Sequence, residues 1–584
     1  MRQRHYADGV PQRTSLTAPP AWIPAPRPTG SGAVDQSVAL WSALAALGLR
    51  DAVLAPGSRS APLVYGLAAD ELAGRIRAHV RIDERAAGFT ALGLSRERPE
   101  HPAAVVTTSG TATAHLHAAV MEAHHSRIPL LVLTADRPAE LREVGANQTT
   151  HQAGMFRSLT RLAVDLPAPT AAEASEPELR TAVSTAARAL ALATGEHPGP
   201  VHLNLSFRDP LVPGPVTDST DPVTLEDRRR IVLTRRARPA APVPYPVPVD
   251  GRTVVVAGDA AGPAAAELAS RHRLPLLAEP SSGSLHGATL IPRYPALLRE
   301  IMADPEHPLR PHRAIVLGHP TLSRPVVGAL LGAEDVEVIV VDPHPDWPDV
   351  ARRAHLVVPA AAGQEREGGL ADPAVRAGRE RHLRAWAQAA ADSARALPGS
   401  WQRRAALAAW EASGPQDVLV LGSSSLVRDL EQHAGPTTAR VIANRGLAGI
   451  DGTTAMAGGI ALARRADAAP GRVRLLVGDL TALHDLTGLL IGPEEERPDL
   501  DVIVVDDGGG RIFSGLEHAS APPELLRRFF TTPHGADIAA AAAALGAQAR
   551  TLAPDDLDVA LAESAPGLRV LVVQQTSSAD PSNS

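Results

Sequence analysis

Short apolar runs rich in β-branched residues recur along the chain, and each is followed by a longer stretch in which apolar positions return with helical period. That alternation predicts strands and crossover helices of parallel α/β sheets. An amphipathic helix from Gln36 leads to a strand at Asp51–Leu54, and further strands are expected at 79–82, 103–106, 129–133 and 201–205. A second series begins at Thr253 and continues at 313–317, 336–341 and 355–358; a third begins at Asp417 and includes 502–505. The expected fold class is therefore α/β, with three consecutive doubly wound domains. The domains are placed at 34–211, 251–362 and 401–575. A Pro-rich linker (212–250) and a polar, Gly- and Arg-rich linker (363–400) join them, with disordered tails at 1–33 and 576–584.

One stretch carries specific chemistry. The apolar run ending at Val477 gives way to Gly478-Asp479-Leu480, and the strand at 502–505 runs into Asp506-Asp507-Gly508-Gly509-Gly510. Each acid follows a probable parallel strand, at the end where open α/β sheets place ligands. Asp479 and Asp507 can supply hard oxygen ligands to Mg²⁺, and the glycines let the backbone approach a diphosphate and offer the Gly509 carbonyl to the metal. Gly-Asp, a crossover, then acidic or amide residues before glycines resembles the diphosphate-binding motif of thiamine diphosphate enzymes. The structural alternative is a pair of ordinary strand ends.

Composition narrows the chemistry. Among 584 residues there is no Cys, and all 57 basic residues other than His are Arg, since Lys is absent. Schiff-base, pyridoxal and thiolate mechanisms are excluded, so difficult carbonyl chemistry must come from a cofactor. A net charge of -7 argues against nucleic acid or an anionic membrane as partner. The arginines at 228–230 and 235–236 read as a solvated linker. The first 33 residues have no continuous apolar core, so neither a signal peptide nor a membrane anchor is expected, and the location is expected to be cytoplasmic. The histidines between His115 and His125 read as helix surface or packing rather than a metal site.

Glu84 follows the strand at 79–82 and precedes small residues that can start a helix. It could cap that helix, or it could meet the aminopyrimidine of thiamine diphosphate, where a carboxyl promotes the proton shift that activates the cofactor. Five segments then resemble one family: Ala55-Pro-Gly-Ser-Arg-Ser-Ala-Pro-Leu63, Thr108-Ser-Gly-Thr-Ala112, Thr134-Ala-Asp-Arg-Pro138 with Gly145-Ala-Asn-Gln148, Asn444-Arg-Gly-Leu-Ala-Gly-Ile-Asp-Gly452, and Asp507-Gly-Gly-Gly-Arg-Ile-Phe-Ser514. They resemble the 2-succinyl-5-enolpyruvyl-6-hydroxy-3-cyclohexene-1-carboxylate synthases of menaquinone biosynthesis.

The resemblance implies a transferase with thiamine diphosphate and Mg²⁺ (or Mn²⁺). It implies decarboxylation of 2-oxoglutarate and 1,4-addition of the succinyl carbanion equivalent to isochorismate, in a homodimer or homotetramer. It implies Glu84 as the catalytic residue, facing the third domain of a partner subunit. Cofactor contacts would come from Glu84, Ile450, Asp479, Leu480, Asp507, Gly509, Gly510 and Ile512, with Asp479, Asp507 and the Gly509 carbonyl on the metal. Substrate contacts would come from Ser58, Arg59, Arg137, Asn147, Gln148, Arg324, Ser424, Arg428, Arg445, Phe513 and Leu516. Guanidinium forks suit dianionic substrates, although a surface ion pair is the ordinary fate of any one arginine. Departures from the family pattern are Asp506-Asp507-Gly508 in place of an amide-rich stretch, Arg511 in place of Gly or Gln, Ser423 in place of Asn, Leu447-Ala448 in place of Ala-Ser, and a tail from Gln574 without the usual final strand and helix. The rival readings are another thiamine diphosphate carboligase or decarboxylase, such as an acetolactate synthase-like enzyme, and a non-catalytic binding module of the same fold.

Overall fold

A computed structural model describes residues 21–214, 228–237, 240–365, 369–395, 399–563 and 565–575. Three parallel sheets follow one another along the chain. The first contains, in spatial order, Arg77–Val80, Asp51–Leu54, Ala104–Thr107, Leu130–Asp136, Pro200–Ser206 and Leu162–Leu166. The third contains Arg440–Ala443, Val418–Leu421, Val473–Gly478, Leu500–Val505, Leu568–Val573 and Gln548–Leu552. Numbered within its own domain, each sheet has the order 2-1-3-4-6-5, so the two are topological copies. Their central strands are buried along their length, which is why they read as unbroken apolar runs. Between them lies a five-stranded sheet, with Leu276–Ala278, Thr253–Ala257, Arg313–Leu317, Glu337–Val341 and Ala354–Val358 in that order.

The segments expected to be loose are partly built into this framework. Trp22–Pro24, expected in the disordered N-terminal tail, pairs antiparallel with Arg230–Val232 of the expected Pro-rich linker. The pair holds because Ile23 and Ile231 are buried in the first core and the Arg230 guanidinium lies 4.2 Å above the Trp22 ring. Arg228, expected to be solvated, pairs with Glu71 at 2.5 Å. Farther along, Tyr245–Val249 pairs in parallel with Ala361–Glu365. The expected linker at 363–400 contains a helix, Pro373–Arg395, that belongs to the middle domain: Trp386 is fully buried in that core, and Arg379 bonds Glu365 and the His272 carbonyl. Its helical period was masked by a high charge content. Residues 1–20 and 576–584 of the expected tails lie outside the described residues.

The first and third domains share one core cluster, in which Phe89 and Leu92 meet Met456 and Ile460. Helices Glu84–Glu97 and Thr453–Ala466 cross there at backbone contact. A methyl group on Gly93 would lie 2.0 Å from the Met456 carbonyl oxygen, and one on Gly459 would lie 2.2 Å from that of Thr90. Below this seam Asp485 is fully buried; it accepts from the Ala455 amide at 2.8 Å, and burial, only partly offset by that bond and by Arg85, pushes its pKa up to about 7. A raised carboxyl pKa contributes stability that is complete below the unfolded value near 3.8 and lost as pH rises through about 7. Asp485→Asn should therefore gain stability over the parent progressively from about pH 4 to about pH 7. Thermal melts showing a pH-independent difference would refute this assignment.

Candidate active site

In each six-stranded sheet the strand order reverses beside the first strand, and parallel α/β sheets bind ligands at the carboxyl ends of the strands flanking that point. In the third sheet those strands are Val418–Leu421 and Val473–Gly478. The second turns directly into helix Asp479–His484, so Asp479 is a first-turn acid at the strand end. Asp479 is buried. Its carboxylate accepts from the amides of Leu480 (2.6 Å) and Gly509 (2.7 Å) and lies 3.2 Å from His534 Nε2. Leu500–Val505 delivers Asp506 and Asp507 next to it.

The acids divide differently from expectation. Among the described residues, Asp479, Asp506 and His534 bring ligand atoms within 4.8 Å of one another. Asp506 is oriented by the amides of Gly508 (3.1 Å) and Gln574 Nε2 (2.6 Å). Asp507 lies outside that group, with Gln402 Nε2 at 3.5 Å. Gly509 faces Asp479 through its N–H, and its carbonyl, the expected metal ligand, accepts from Arg511 at 2.8 Å. The carbonyl's second lone pair is still open to a cation.

The donor set fits a divalent cation. Burial raises the pKa of Asp479, and the charge of Asp506 adds to the rise; burial and then the charge of Asp479 push Asp507 up to about 6. Two carboxylates within 4.8 Å repel by about 3 kcal/mol at an effective dielectric near 20, a strain that a 2+ ion reverses. The backbone also fits close approach. Gly508 and Gly509 take φ of 81° and 133°, and a methyl group on Gly509 would lie 2.3 Å from the Thr531 carbonyl oxygen. Leu480 and Ile512 are half-buried beside this loop, and the Gly510 amide donates to Thr531. Phe513 packs on Phe530, 5.6 Å between ring centres, with His518 stacked on Phe530 and Leu516 half-buried nearby.

Glu84 is the first residue of helix Glu84–Glu97, and the capping role is taken by its neighbour: Asp83 accepts from the amides of Arg85 and Ala86. The capping alternative for Glu84 is thereby removed, leaving its carboxyl only the general preference for an acid in the first helical turn. The resemblance placed it against a partner's third domain. Within the single chain its flanking residues already bond that chain's own third domain, Asp83 accepting from Thr487 Oγ1 (2.6 Å) and Arg85 Nη2 donating to the His484 carbonyl (2.7 Å). Ile450, half-buried, lies in the loop before the helix that crosses Glu84–Glu97.

The expected arginines form two groups. At the strand ends of the first sheet, Arg59 donates to the Phe207 carbonyl and Arg137 to Ser109 Oγ (3.1 Å); burial and then the charge of Arg137 lower the Arg59 pKa. Gln148 donates to the Ser109 carbonyl at 3.0 Å, and it, Asn147 and Ser58 are all exposed. In the second group burial lowers the Arg428 pKa, followed by the charges of Arg324 and Arg445. Arg428 lies on the helix that Ser424 caps through Leu426 N, and Arg445 Nε donates to Thr321 Oγ1 at 3.0 Å. Neither Arg324 nor Arg428 has a carboxylate within 4.0 Å among the described residues. Arg428 lies within the charge of both Arg324 and Arg445, and such a cluster of guanidinium groups forms a site for an anion carrying more than one charge.

Sequence reasoning missed His534, Gln402, Gln574 and Asn444. The first three come from loops and a helix remote in sequence from the motif. Asn444 sits inside a recognised segment, and both atoms of its buried amide lack a partner among the described residues. An orphaned buried amide costs about 1–3 kcal/mol, a cost a bound ligand can relieve. The histidines between His115 and His125 join no metal-holding group among the described residues; His117 packs on Phe156, and His124 Nδ1 lies 2.8 Å from the Leu159 carbonyl oxygen.

Comparison with known proteins gives the family and the fold. The family described as "Thiamine pyrophosphate enzyme, N-terminal TPP binding domain" matches residues 36–155. A protein of Kineococcus radiotolerans named 2-succinyl-5-enolpyruvyl-6-hydroxy-3-cyclohexene-1-carboxylate synthase is 47% identical over 538 residues, covering 90% of this chain and 93% of its own. One of the same name from Leifsonia xyli is 42% identical over 596 residues, covering 93% and 97%. Among solved structures, a benzoylformate decarboxylase from Polynucleobacter necessarius superposes with a TM-score of 0.61 at 17% identity, over 92% of this chain and 98% of that one, a likeness of fold.

Proposed function

The chain belongs to the 2-succinyl-5-enolpyruvyl-6-hydroxy-3-cyclohexene-1-carboxylate synthase family, and on that basis we propose that it decarboxylates 2-oxoglutarate and adds the succinyl carbanion equivalent 1,4 to isochorismate. The products are CO2 and the compound that names the family, a step of menaquinone biosynthesis. The observation that carries this reading beyond family membership is the group of Arg324, Arg428 and Arg445, with Arg428 half-buried beside two like charges. Both substrates are dianions, and each supplies the charge that this group lacks. A small monoanionic 2-oxo acid, as in an acetolactate synthase-like reaction, would leave it unmatched.

Thiamine diphosphate, when bound, supplies the carbon nucleophile and electron sink for breaking and making the carbon–carbon bonds. The chain's own residues hold and aim the reactants. Asp479, Asp507 and the Gly509 carbonyl would hold Mg²⁺ or Mn²⁺, with Asp506 and His534 beside them. Leu480, Gly510 and Ile512 would line the diphosphate, and Ile450 would support the cofactor from below. Glu84 holds a proton at the pyrimidine ring nitrogen. Arg59, Arg137 and Gln148, and on the other side Arg324, Ser424, Arg428 and Arg445, would bind substrate carboxylates, with Phe513 and Leu516 as the apolar wall. Ser58 and Asn147, exposed in the chain alone, would join the first group. The assembly we propose, a homodimer or homotetramer, follows the family resemblance. Among the described residues no helix is long and apolar enough to cross a membrane, and the proposed setting is the cytoplasm.

Purified protein with thiamine diphosphate, Mg²⁺, 2-oxoglutarate and isochorismate should consume isochorismate and give a succinyl-bearing product by mass. Loss of neither substrate from a cofactor-loaded sample would refute the reading. Arg428→Ala should raise KM by about tenfold to a hundredfold, the value of a charge-assisted carboxylate contact, with cofactor affinity unchanged. An unchanged KM for both substrates would remove Arg428 from the site.

A further inference from the structure

Beneath the arginine group lies a buried carboxylate that no substrate or cofactor contact accounts for. Glu279 follows strand Leu276–Ala278 of the middle domain and is 1% exposed. Its side chain accepts three consecutive backbone amides from the loop after strand Arg313–Leu317: Thr321 (3.3 Å), Leu322 (2.8 Å) and Ser323 (3.1 Å). That loop ends at Arg324, and Thr321 Oγ1 receives Arg445 Nε. A single carboxylate thus fixes the backbone from which one substrate-facing guanidinium projects and the hydroxyl on which another rests. Arg445 also faces Glu279 as a counter-charge.

On the opposite side stands Glu431, one helical turn after Arg428 on helix Ser425–His433, with Tyr294 OH donating to its Oε1 at 2.8 Å. Burial and then the charge of Glu279 push Glu431 up to about 8. Burial raises the Glu279 pKa, and the three N–H donors and Arg445 offset that rise only in part, while Glu431 keeps its proton at neutral pH. The remaining charged neighbour on that side is Arg428 itself.

We propose that Glu279 is a positioning residue for dianionic substrate binding: it templates loop 321–324 and so sets Arg324 and Arg445, in the middle and third domains, into one carboxylate-binding array. This rests on the function proposed above. Glu279 lies outside every motif of the sequence, and its carboxylate is taken up by backbone amides. Its effect on the reaction passes entirely through the two arginines.

The test is Glu279→Gln in the full-length enzyme loaded with thiamine diphosphate and Mg²⁺, alongside the parent. Glutamine keeps the shape and one acceptor oxygen but loses the second and turns an NH₂ toward an amide that needs an acceptor. KM for 2-oxoglutarate or isochorismate should rise about tenfold or more, with a lower Tm from the lost amide acceptor, while kcat and the Kd of thiamine diphosphate move little. A purely structural role would lower Tm and weaken cofactor binding together, and that result would overturn the proposal, as would an unchanged KM. If the glutamine variant does not fold, Thr321→Val removes the Arg445 rest while leaving all three amide bonds in place. A raised KM there supports the proposal, and an unchanged KM overturns it. A parent enzyme that turns over neither substrate would instead refute the assigned reaction, a result distinct from a failed Glu279 effect.

Discussion

Glu84→Gln is expected to bind thiamine diphosphate and Mg²⁺ as the parent does and to lose turnover by about 10²- to 10⁴-fold, the range for removing a positioned acid–base group. The structure makes this substitution unusually clean. Helix Glu84–Glu97 is capped by Asp83, so an amide at position 84 removes no helix-stabilising bond. Its neighbours Asp83 and Arg85 remain tied to Thr487 and His484 and keep the helix start in place. On the proposed role, what would change is the ability of one side chain to hold and return a proton at the pyrimidine nitrogen. Fluorescence or calorimetric titration of the cofactor, together with steady-state turnover, separates the two effects. Full activity in the variant would remove Glu84 from the mechanism, and loss of cofactor binding would make it a structural residue of the cleft.

The three sheets were legible because their central strands are buried on both faces and therefore spell out continuous apolar runs, as in Val418–Leu421 and Leu500–Val505. Several edge strands were not, although those expected at 79–82 and 355–358 were found. Gln548–Leu552 exposes much of its length, and Leu162–Leu166 is half-covered, so neither carries such a run. The expected linkers misled for a related reason. Tyr245–Val249 alternates proline with valine, which reads as an extended connector, yet Val247 and Val249 are buried under the middle sheet. For the site, local motifs located Glu84, Asp479 and the glycine loop, because those residues sit at strand ends defined by the apolar pattern. Residues supplied from remote segments were invisible: His534 reaches Asp479 across 55 positions and Gln574 reaches Asp506 across 68. Neither spacing obeys any local period. Glu279 belongs to the same class, since its task is defined only once the loop at 321–323 folds over it.

The cation site yields the second large effect, with opposite signs in two states of the same protein. Asp479→Asn should weaken binding of Mg²⁺ and the cofactor by about a hundredfold or more, because one hard anionic ligand is lost at the centre of the group. In metal-free protein the same change should not destabilise the fold at neutral pH and should tend to stabilise it. The reason lies in the sign of the titration: burial raises the Asp479 pKa in spite of three hydrogen bonds, so the ionised form carries a cost in the folded state. A raised carboxyl pKa gives stability that is complete below the unfolded value of 3.8 and is lost as pH climbs through the folded value. Asparagine escapes that loss. The metal-free variant should match the parent at about pH 4 and melt at an equal or higher temperature at about pH 7, whereas with saturating Mg²⁺ and thiamine diphosphate the parent should melt higher. Asp507 supplies an internal check, since the charge of Asp479 is the second cause of its rise to about 6, and its titration should move down in the variant. Differential scanning calorimetry at the two pH values, with and without Mg²⁺ and cofactor, reads all of this. A variant that is less stable metal-free at pH 7 and equally stabilised by Mg²⁺ would mean that Asp479 serves the fold rather than the cation.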